Sequence, residues 1–325
     1  TKQPSNELLD SLSTELCLPQ DFFRQGPPPE FPKGSLLFRS KSGIGKRTIS
    51  QVHAHSELVF ELVLRLATSA SLIPVRLPRE TDPIEAARAI RKILEHPKGP
   101  FPNLIRAIER LGVITIPLPE VKDCDAFAVW AGPGRTHPVI GVVVGKANDR
   151  MRMNLAHELG HLVLHRELVG GTQELETQAY RFAAELLMPA NDIAEDLSRE
   201  KLNLFTLAAL KSKWLVSMQA LARRARELDV ASDRQYRYIM KLMSMRGWRL
   251  EEPNFVTPQA ELPRVIPKLI EVVFGPTPDL RKMASELHLT PDFISSVLAM
   301  CEPHKVEKSS KTRIPTPQPL QFRRI

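Results

Sequence analysis

Leu155-Ala156-His157-Glu158-Leu159-Gly160-His161-Leu162-Val163-Leu164-His165 is the stretch on which the fold turns. Histidines at i and i+4 lie one above the other on a single helical face, so His157 and His161 can reach one metal ion. Glu158 stands close enough to that face to take a proton from a water activated by the ion, as hydrolysis of a carbonyl compound requires. The run continues as the apolar Leu162-Val163-Leu164. That describes a packed helix, which favours a built site over two surface histidines and a helix salt bridge. His165 falls about 40° past His161 by helical periodicity. It reads either as a hydrogen-bonding neighbour of the site or as an exposed or capping residue.

Two histidines do not complete a catalytic zinc site. A third histidine in the HExxHxxGxxH arrangement is excluded, because Leu164 and Glu167 stand where Gly and His are needed. The remaining source is a carboxylate from the next helix, about residues 174–188, where Glu174, Glu176 and Glu185 are candidates. Ala179, Phe182, Ala183, Leu186 and Leu187 form that helix's apolar face, with alanines small enough for close packing. Glu176 borders the packed face, so helical geometry prefers it modestly over Glu174.

Upstream, Val113 to Ile116, Ala126 to Trp130 and Pro138 to Val144 read as strands, punctuated by Pro117, Pro119 and Gly132-Pro133-Gly134. Helices are expected over 50–68, from Asp82-Pro83 onward with Asp as N-cap and Pro at N1, and from Pro102 to Leu111 before Gly112. Further helices follow over 203–246, broken near 215–217 and 230–232, with two or three more over 262–301. His53 and His55 read as solvent-facing residues on opposite sides of the first of these helices. His137 is placed at the edge of the cleft. The strand 138–144 reads either as plain core or as the strand that pairs with an extended substrate. No Gly-rich phosphate loop, Ser-His-Asp set or nucleophilic Cys context occurs.

The order of sheet, HExxH helix and Glu-bearing helix ending in Leu186-Leu187-Met188-Pro189 resembles the ImmA/IrrE family of zinc metallo-endopeptidases. The resemblance rests on residues 155–165 and on the run Glu176-Thr177-Gln178-Ala179-Tyr180-Arg181-Phe182-Ala183-Ala184-Glu185-Leu186-Leu187-Met188-Pro189. It covers about half the chain. It implies that Glu176, thirteen residues before the Pro, is the third ligand beside His157 and His161, with Glu158 as general base. The family often has Glu and Asn where this chain has Gln178 and Tyr180, so no role carries over to those two positions. The resemblance also implies regulatory cleavage of a helix-turn-helix repressor, in a stress response or on a mobile element. Long members carry an N-terminal helix-turn-helix domain of the XRE type, and residues 1–25 resemble the last helix of one.

The chain has 325 residues, 42% hydrophobic and 25% charged, with a net charge of +8. These values describe a globular protein and exclude wholesale disorder. No apolar stretch approaches the roughly 20 residues of a membrane span. Cys17, Cys124 and Cys301 are far apart with no CxxC spacing, which points to a reducing compartment and a cytoplasmic location. The start, Thr1-Lys2-Gln3-Pro4-Ser5, lacks a signal-peptide core and reads as a fragment or processed chain. The positive charge is concentrated in residues 201–250, with eleven Lys/Arg against three Asp/Glu, and in 305–325, with six against one. A helix-turn-helix reading of the first segment, and hence DNA contact, weighs equally with a solvated or peptide-binding face.

The expected fold is α+β, a minimal gluzincin-like zincin core within a mostly helical multi-domain chain. The divisions are 1–25 (remnant of a helix-turn-helix domain), 26–97 (proline-rich linker and helices), 98–200 (peptidase), 201–255 (basic, helix-turn-helix-like), 256–304 (C-terminal helical) and 305–325 (disordered basic tail). The expected function is zinc-dependent endopeptidase, with manganese as the alternative metal. A DNA-binding transcriptional regulator with a sensory or inactive peptidase-like domain is the second class.

Overall fold

Alternation along three short strands decides what lies on either side of the sheet. The strands are β1 (Ile114–Leu118), β2 (Ala126–Ala131) and β3 (His137–Val143). Their order is β1-β3-β2, with β3 parallel to β1 and antiparallel to β2. Ile114 pairs with Val139, and Phe127 with Gly141. Gly141 is required there: a Cβ would lie 2.1 Å from a ring carbon of Phe127, which folds over the central strand. The computed structural model describes residues 4–16, 18–33, 45–120, 125–144, 148–166, 172–249, 252–253 and 261–303. The tail 305–325 lies outside them.

Successive side chains point to opposite faces of a strand, so each face of this sheet has its own core. Ala128, Trp130, Ile140 and Val142 face α4 (Pro83–Ile93), α5 (Leu104–Arg110), α6 (Asn148–Leu164) and α7 (Gln173–Leu187). Ile114, Ile116, Leu118, Phe127, Val129, Val139 and Val143 face α3 (Lys46–Leu66) and the C-terminal helices α12 (Val265–Phe274), α13 (Leu280–Glu286) and α14 (Pro291–Met300). The short helices α1 (Asn6–Leu16) and α2 (Gln20–Phe23) precede them. The chain is α+β, with a three-stranded sheet between helical layers.

The first core does not stop at α7. It runs on through α8 (Ala190–Ser198), α9 (Leu204–Trp214), α10 (Met218–Glu227) and α11 (Asp233–Met245), with Ile193, Leu207, Trp214, Leu221 and Met243 all buried in it. Local chemistry starts these helices where the sequence predicts. Asp82 accepts from the Ile84 and Glu85 amides at 2.8 and 3.0 Å, and Asn203 and Ser232 close capping boxes. Helix α8 has no such signal and was not expected, since Pro189 reads as an end.

Two buried ionic contacts moor the first turns of α6. Asp149 meets Lys211 at 2.7 Å, and Arg152 pairs with Glu261 while donating to the Phe101 carbonyl at 2.7 Å. At its other end the Trp130 indole donates to the Leu162 carbonyl at 3.1 Å, tying α6 to β2.

Candidate metal centre

The site is made by two helices that approach closely because small residues face each other. On α6, Met151, Leu155, Leu159 and Leu162 recur at helical spacing and bury against the sheet side of the core. Gly160 faces α7, where an added Cβ would lie 3.0 Å from Phe182 Cδ1 and 3.2 Å from the Ala179 backbone. No larger residue fits without moving α7. The histidines occupy another stripe, His157 and His161 on α6 and His165 just past its end, one turn apart. Close approach brings Glu176, from the first turn of α7, up to that stripe.

Three donor groups converge. His157 Nε2 lies 3.1 Å from Glu176 Oε2, His161 Nε2 lies 3.1 Å from His157 Nε2, and His161 Nε2 lies 3.5 Å from Glu176 Oε1. A tetrahedral ion with bonds of about 2.0–2.1 Å holds its ligand atoms about 3.3–3.4 Å apart, so the two imidazoles and the carboxylate have the spacing of a zinc-type ligand set. Among the described residues this is the group of His, Cys, Asp and Glu side chains placed to hold a metal ion. The hydrogen bond from His157 holds the Glu176 carboxyl well below the usual carboxylate range, so it is an anion at neutral pH. Glu158 sits on the turn between the two imidazoles and is buried, at 2% exposure.

The other candidates lie elsewhere. Glu174 is exposed, and Glu185 faces Arg224 and Arg88 at the far end of α7. His165 is neither exposed nor a cap: it is 8% exposed, with His161 Nδ1 2.9 Å from its Nδ1 and Gln178 Oε1 2.9 Å from its Nε2. Burial lowers its pKa, which favours the neutral ring. Sequence reasoning gave Gln178 no role. The one available signal was its position, two residues past Glu176 and therefore near the same end of α7. Tyr180 is a packing residue, half-buried beneath the Arg223 guanidinium at 3.3 Å from ring centre.

One alternative in the surroundings is decided in favour of plain core, and two expectations are corrected. Strand β3 is paired on both sides and has no edge to offer an extended substrate. His137 packs on Phe60, on the sheet face opposite α6. His53 and His55 are half-buried, and each ring donates from Nε2 to a carbonyl, Phe31 at 2.8 Å and Pro117 at 3.0 Å.

Residues 108–226, from α5 to α10, match the IrrE N-terminal-like domain of the M78 peptidases. This segment is similar to an M78 peptidase domain. Curated proteins give no match. An M78 domain carries a metallopeptidase-type function, a metal cofactor and a protein substrate. The match covers the sheet, both site helices and α8 to α10, whereas the first core extends beyond it to α4 and α11. No described helix is long and apolar enough to cross a membrane.

Proposed function

We propose that the chain is a zinc-dependent endopeptidase, with His157, His161 and Glu176 as metal ligands and Glu158 as general base. The observation that carries this reading is the mutual spacing of the three donor groups, 3.1, 3.1 and 3.5 Å, close to that of a tetrahedral set. When bound, the ion supplies Lewis acidity toward a peptide carbonyl and toward water. The Glu158 carboxylate takes the proton of the attacking water and delivers it to the leaving amine nitrogen. Burial of Glu158 keeps competing solvent away from that transfer. Manganese, which accepts the same nitrogen and oxygen donors, is the alternative ion.

The resemblance to ImmA/IrrE proteins supports a helix-turn-helix repressor as the substrate and a regulatory role in the cytoplasm. The buried free thiol of Cys301 accords with a reducing compartment. Metal analysis together with incubation of wild type and Glu158→Gln with candidate repressors tests the reading. The expected result is one zinc per chain in both and cleavage slowed about 10²–10⁴-fold in the variant. Absence of bound metal, or equal cleavage, would overturn it.

One surface favours a second reading, a regulator that contacts DNA. The arginines of α10 do not serve it: Arg224 is buried on Glu185 and the Met188 carbonyl, and Arg223 and Arg226 lie over Tyr180 and Tyr236. A group of cations open to solvent is on α11, where Arg234, Arg237 and Lys241 share a face with Tyr238, 62% exposed. Phosphate contacts from this face would weaken steeply with salt. A DNA titration of wild type and Arg237→Ala/Lys241→Ala at two salt concentrations distinguishes this from a solvated face.

A further inference from the structure

The metal reading leaves a question at His161. An imidazole can ligate only through a nitrogen that carries no proton, and a neutral ring has one bare nitrogen and one N–H. His161 must therefore keep its proton on Nδ1 if Nε2 is to meet the metal. Ligating histidines are usually held in this state by an acceptor, a carboxylate or carbonyl, on the other nitrogen. Here the neighbour of His161 Nδ1 is another imidazole nitrogen, His165 Nδ1 at 2.9 Å, which can accept or donate. The direction has to be set further out.

We propose that Gln178, acting through His165, sets the tautomer of His161 and so leaves Nε2 bare for the metal. The inference rests on the proposed metal-binding function. Gln178 Oε1 lies 2.9 Å from His165 Nε2 and, being a carbonyl oxygen, can only accept. The His165 proton is then on Nε2, and its Nδ1 is bare. Across the 2.9 Å contact between the two Nδ1 atoms, His161 must be the donor. Its Nε2, 3.1 Å from His157 Nε2 and 3.5 Å from Glu176 Oε1, carries the free lone pair.

The reverse arrangement shows why residue 178 decides. Turning the amide would direct Gln178 Nε2–H to His165 Nε2, move the His165 proton to Nδ1, and put the His161 proton on Nε2. That ring cannot bind the ion. A carboxylate at 178 would permit only the ligating direction, because it has no proton to give at neutral pH. A glutamine permits both, and in this structure its Oε1 faces His165 Nε2. Gln178 and His165 are thus positioning residues. They touch neither the ion nor the substrate, and they act on the availability of one nitrogen.

The test combines two measurements on the full chain at one fixed neutral pH. Long-range ¹⁵N-edited histidine spectra of the metal-free protein should show His161 with its proton on Nδ1 in wild type and in Gln178→Glu, and a mixture of tautomers in Gln178→Met, which keeps the volume and offers only a weak sulfur acceptor. Competition against a chromophoric chelator should show zinc bound within a few-fold of wild type by Gln178→Glu and roughly 10–100-fold more weakly by Gln178→Met. A proton on His161 Nε2 in the wild-type spectra would overturn the inference. So would zinc bound equally tightly by wild type and Gln178→Met. Wild type that binds no zinc would overturn the metal reading itself, and this inference with it. If Gln178→Met does not fold, the wild-type spectra and the Glu variant still decide.

Discussion

Helix α7 carries two carboxylates that do opposite work, nine residues apart. Glu185, at its C-terminal end, has a side chain only 3% exposed and is surrounded by fixed donors: the Arg224 guanidinium, Arg88 Nε at 3.3 Å and the Ala190 amide at 3.3 Å. Glu176, at the N-terminal end, is 42% exposed and faces two imidazoles. A guanidinium is always charged and never a ligand, so Glu185 is electrostatically complete and holds α7 to α4, α8 and α10. An imidazole can lose its proton and offer a lone pair. Glu176 therefore belongs to a set that could hold a cation. The partner, more than the carboxylate or its burial, separates the structural acid from the functional one.

Removing each acid in turn breaks that comparison if it is wrong. Glu185→Ala leaves buried Arg224 with only the more distant Glu227 carboxylate at 3.8 Å, and loss of one partner of a buried pair costs about 3–5 kcal/mol. The unfolding midpoint of the metal-free protein in urea should fall accordingly, while zinc stoichiometry stays at one wherever the chain is folded. A loss below about 1 kcal/mol, the range of exposed pairs, would mean that Glu185 does not hold the helices. Glu176→Ala should do the reverse. The half-exposed acid contributes less than about 1 kcal/mol to the metal-free fold, but zinc binding should weaken by more than the roughly 10–100-fold of an outer-shell change. Calorimetry on both forms reads the two effects separately.

The same contrast explains how much of the molecule was legible in the sequence. Features decided within one turn or one strand were readable: the histidine spacing of α6, the Asp82 cap, the three strands and the small face of α7. Glu176 was readable because it borders that face. Contacts set by the angle between elements were not. Whether His165 faces solvent or Gln178 depends on how α7 crosses α6. Whether Arg224 reaches DNA or Glu185 depends on α10 lying over the end of α7. The central position of β3 depends on its lying between β1 and β2 rather than at the sheet edge that sequence order would suggest. His55 reads as a solvent residue until the Pro117 carbonyl and the Phe293 ring close around it. An inward arginine and an outward one have the same sequence pattern.

Gly160→Ala sharpens the comparison from the backbone side. The new Cβ, 3.0 Å from Phe182 Cδ1 and 3.2 Å from the Ala179 backbone, requires α7 to shift by a few tenths of an ångström. Overpacking costs about 1–3 kcal/mol, and the better helix propensity of Ala returns at most about 1. A net loss of about 1 kcal/mol is expected in urea unfolding. The shift acts most where α7 meets the histidine stripe, so zinc affinity should fall as well, whereas the Glu185 contacts at the other end remain. Zinc affinity equal to wild type would show that the close approach of the helices is not what positions Glu176.

The smallest expected effect concerns the histidine on the other side of the sheet. Burial lowers the pKa of His55 below its usual value of 6.5, and the hydrogen bond to the Pro117 carbonyl only partly opposes this. In the folded state the ring resists protonation more than in the unfolded chain. The stability it contributes is present above pH 6.5 and is lost as pH falls through that value toward the lower folded pKa. Urea midpoints measured from pH 7.5 down to 5 should decline, and His55→Gln, which keeps a donor for the Pro117 carbonyl but does not titrate, should flatten part of that decline. Because His55 lies on the sheet face opposite α6, the part it removes should be the same with and without zinc. A His55 contribution that disappeared on zinc binding would mean that the two faces of the sheet are coupled, and that the separation between a structural and a metal-binding side does not hold.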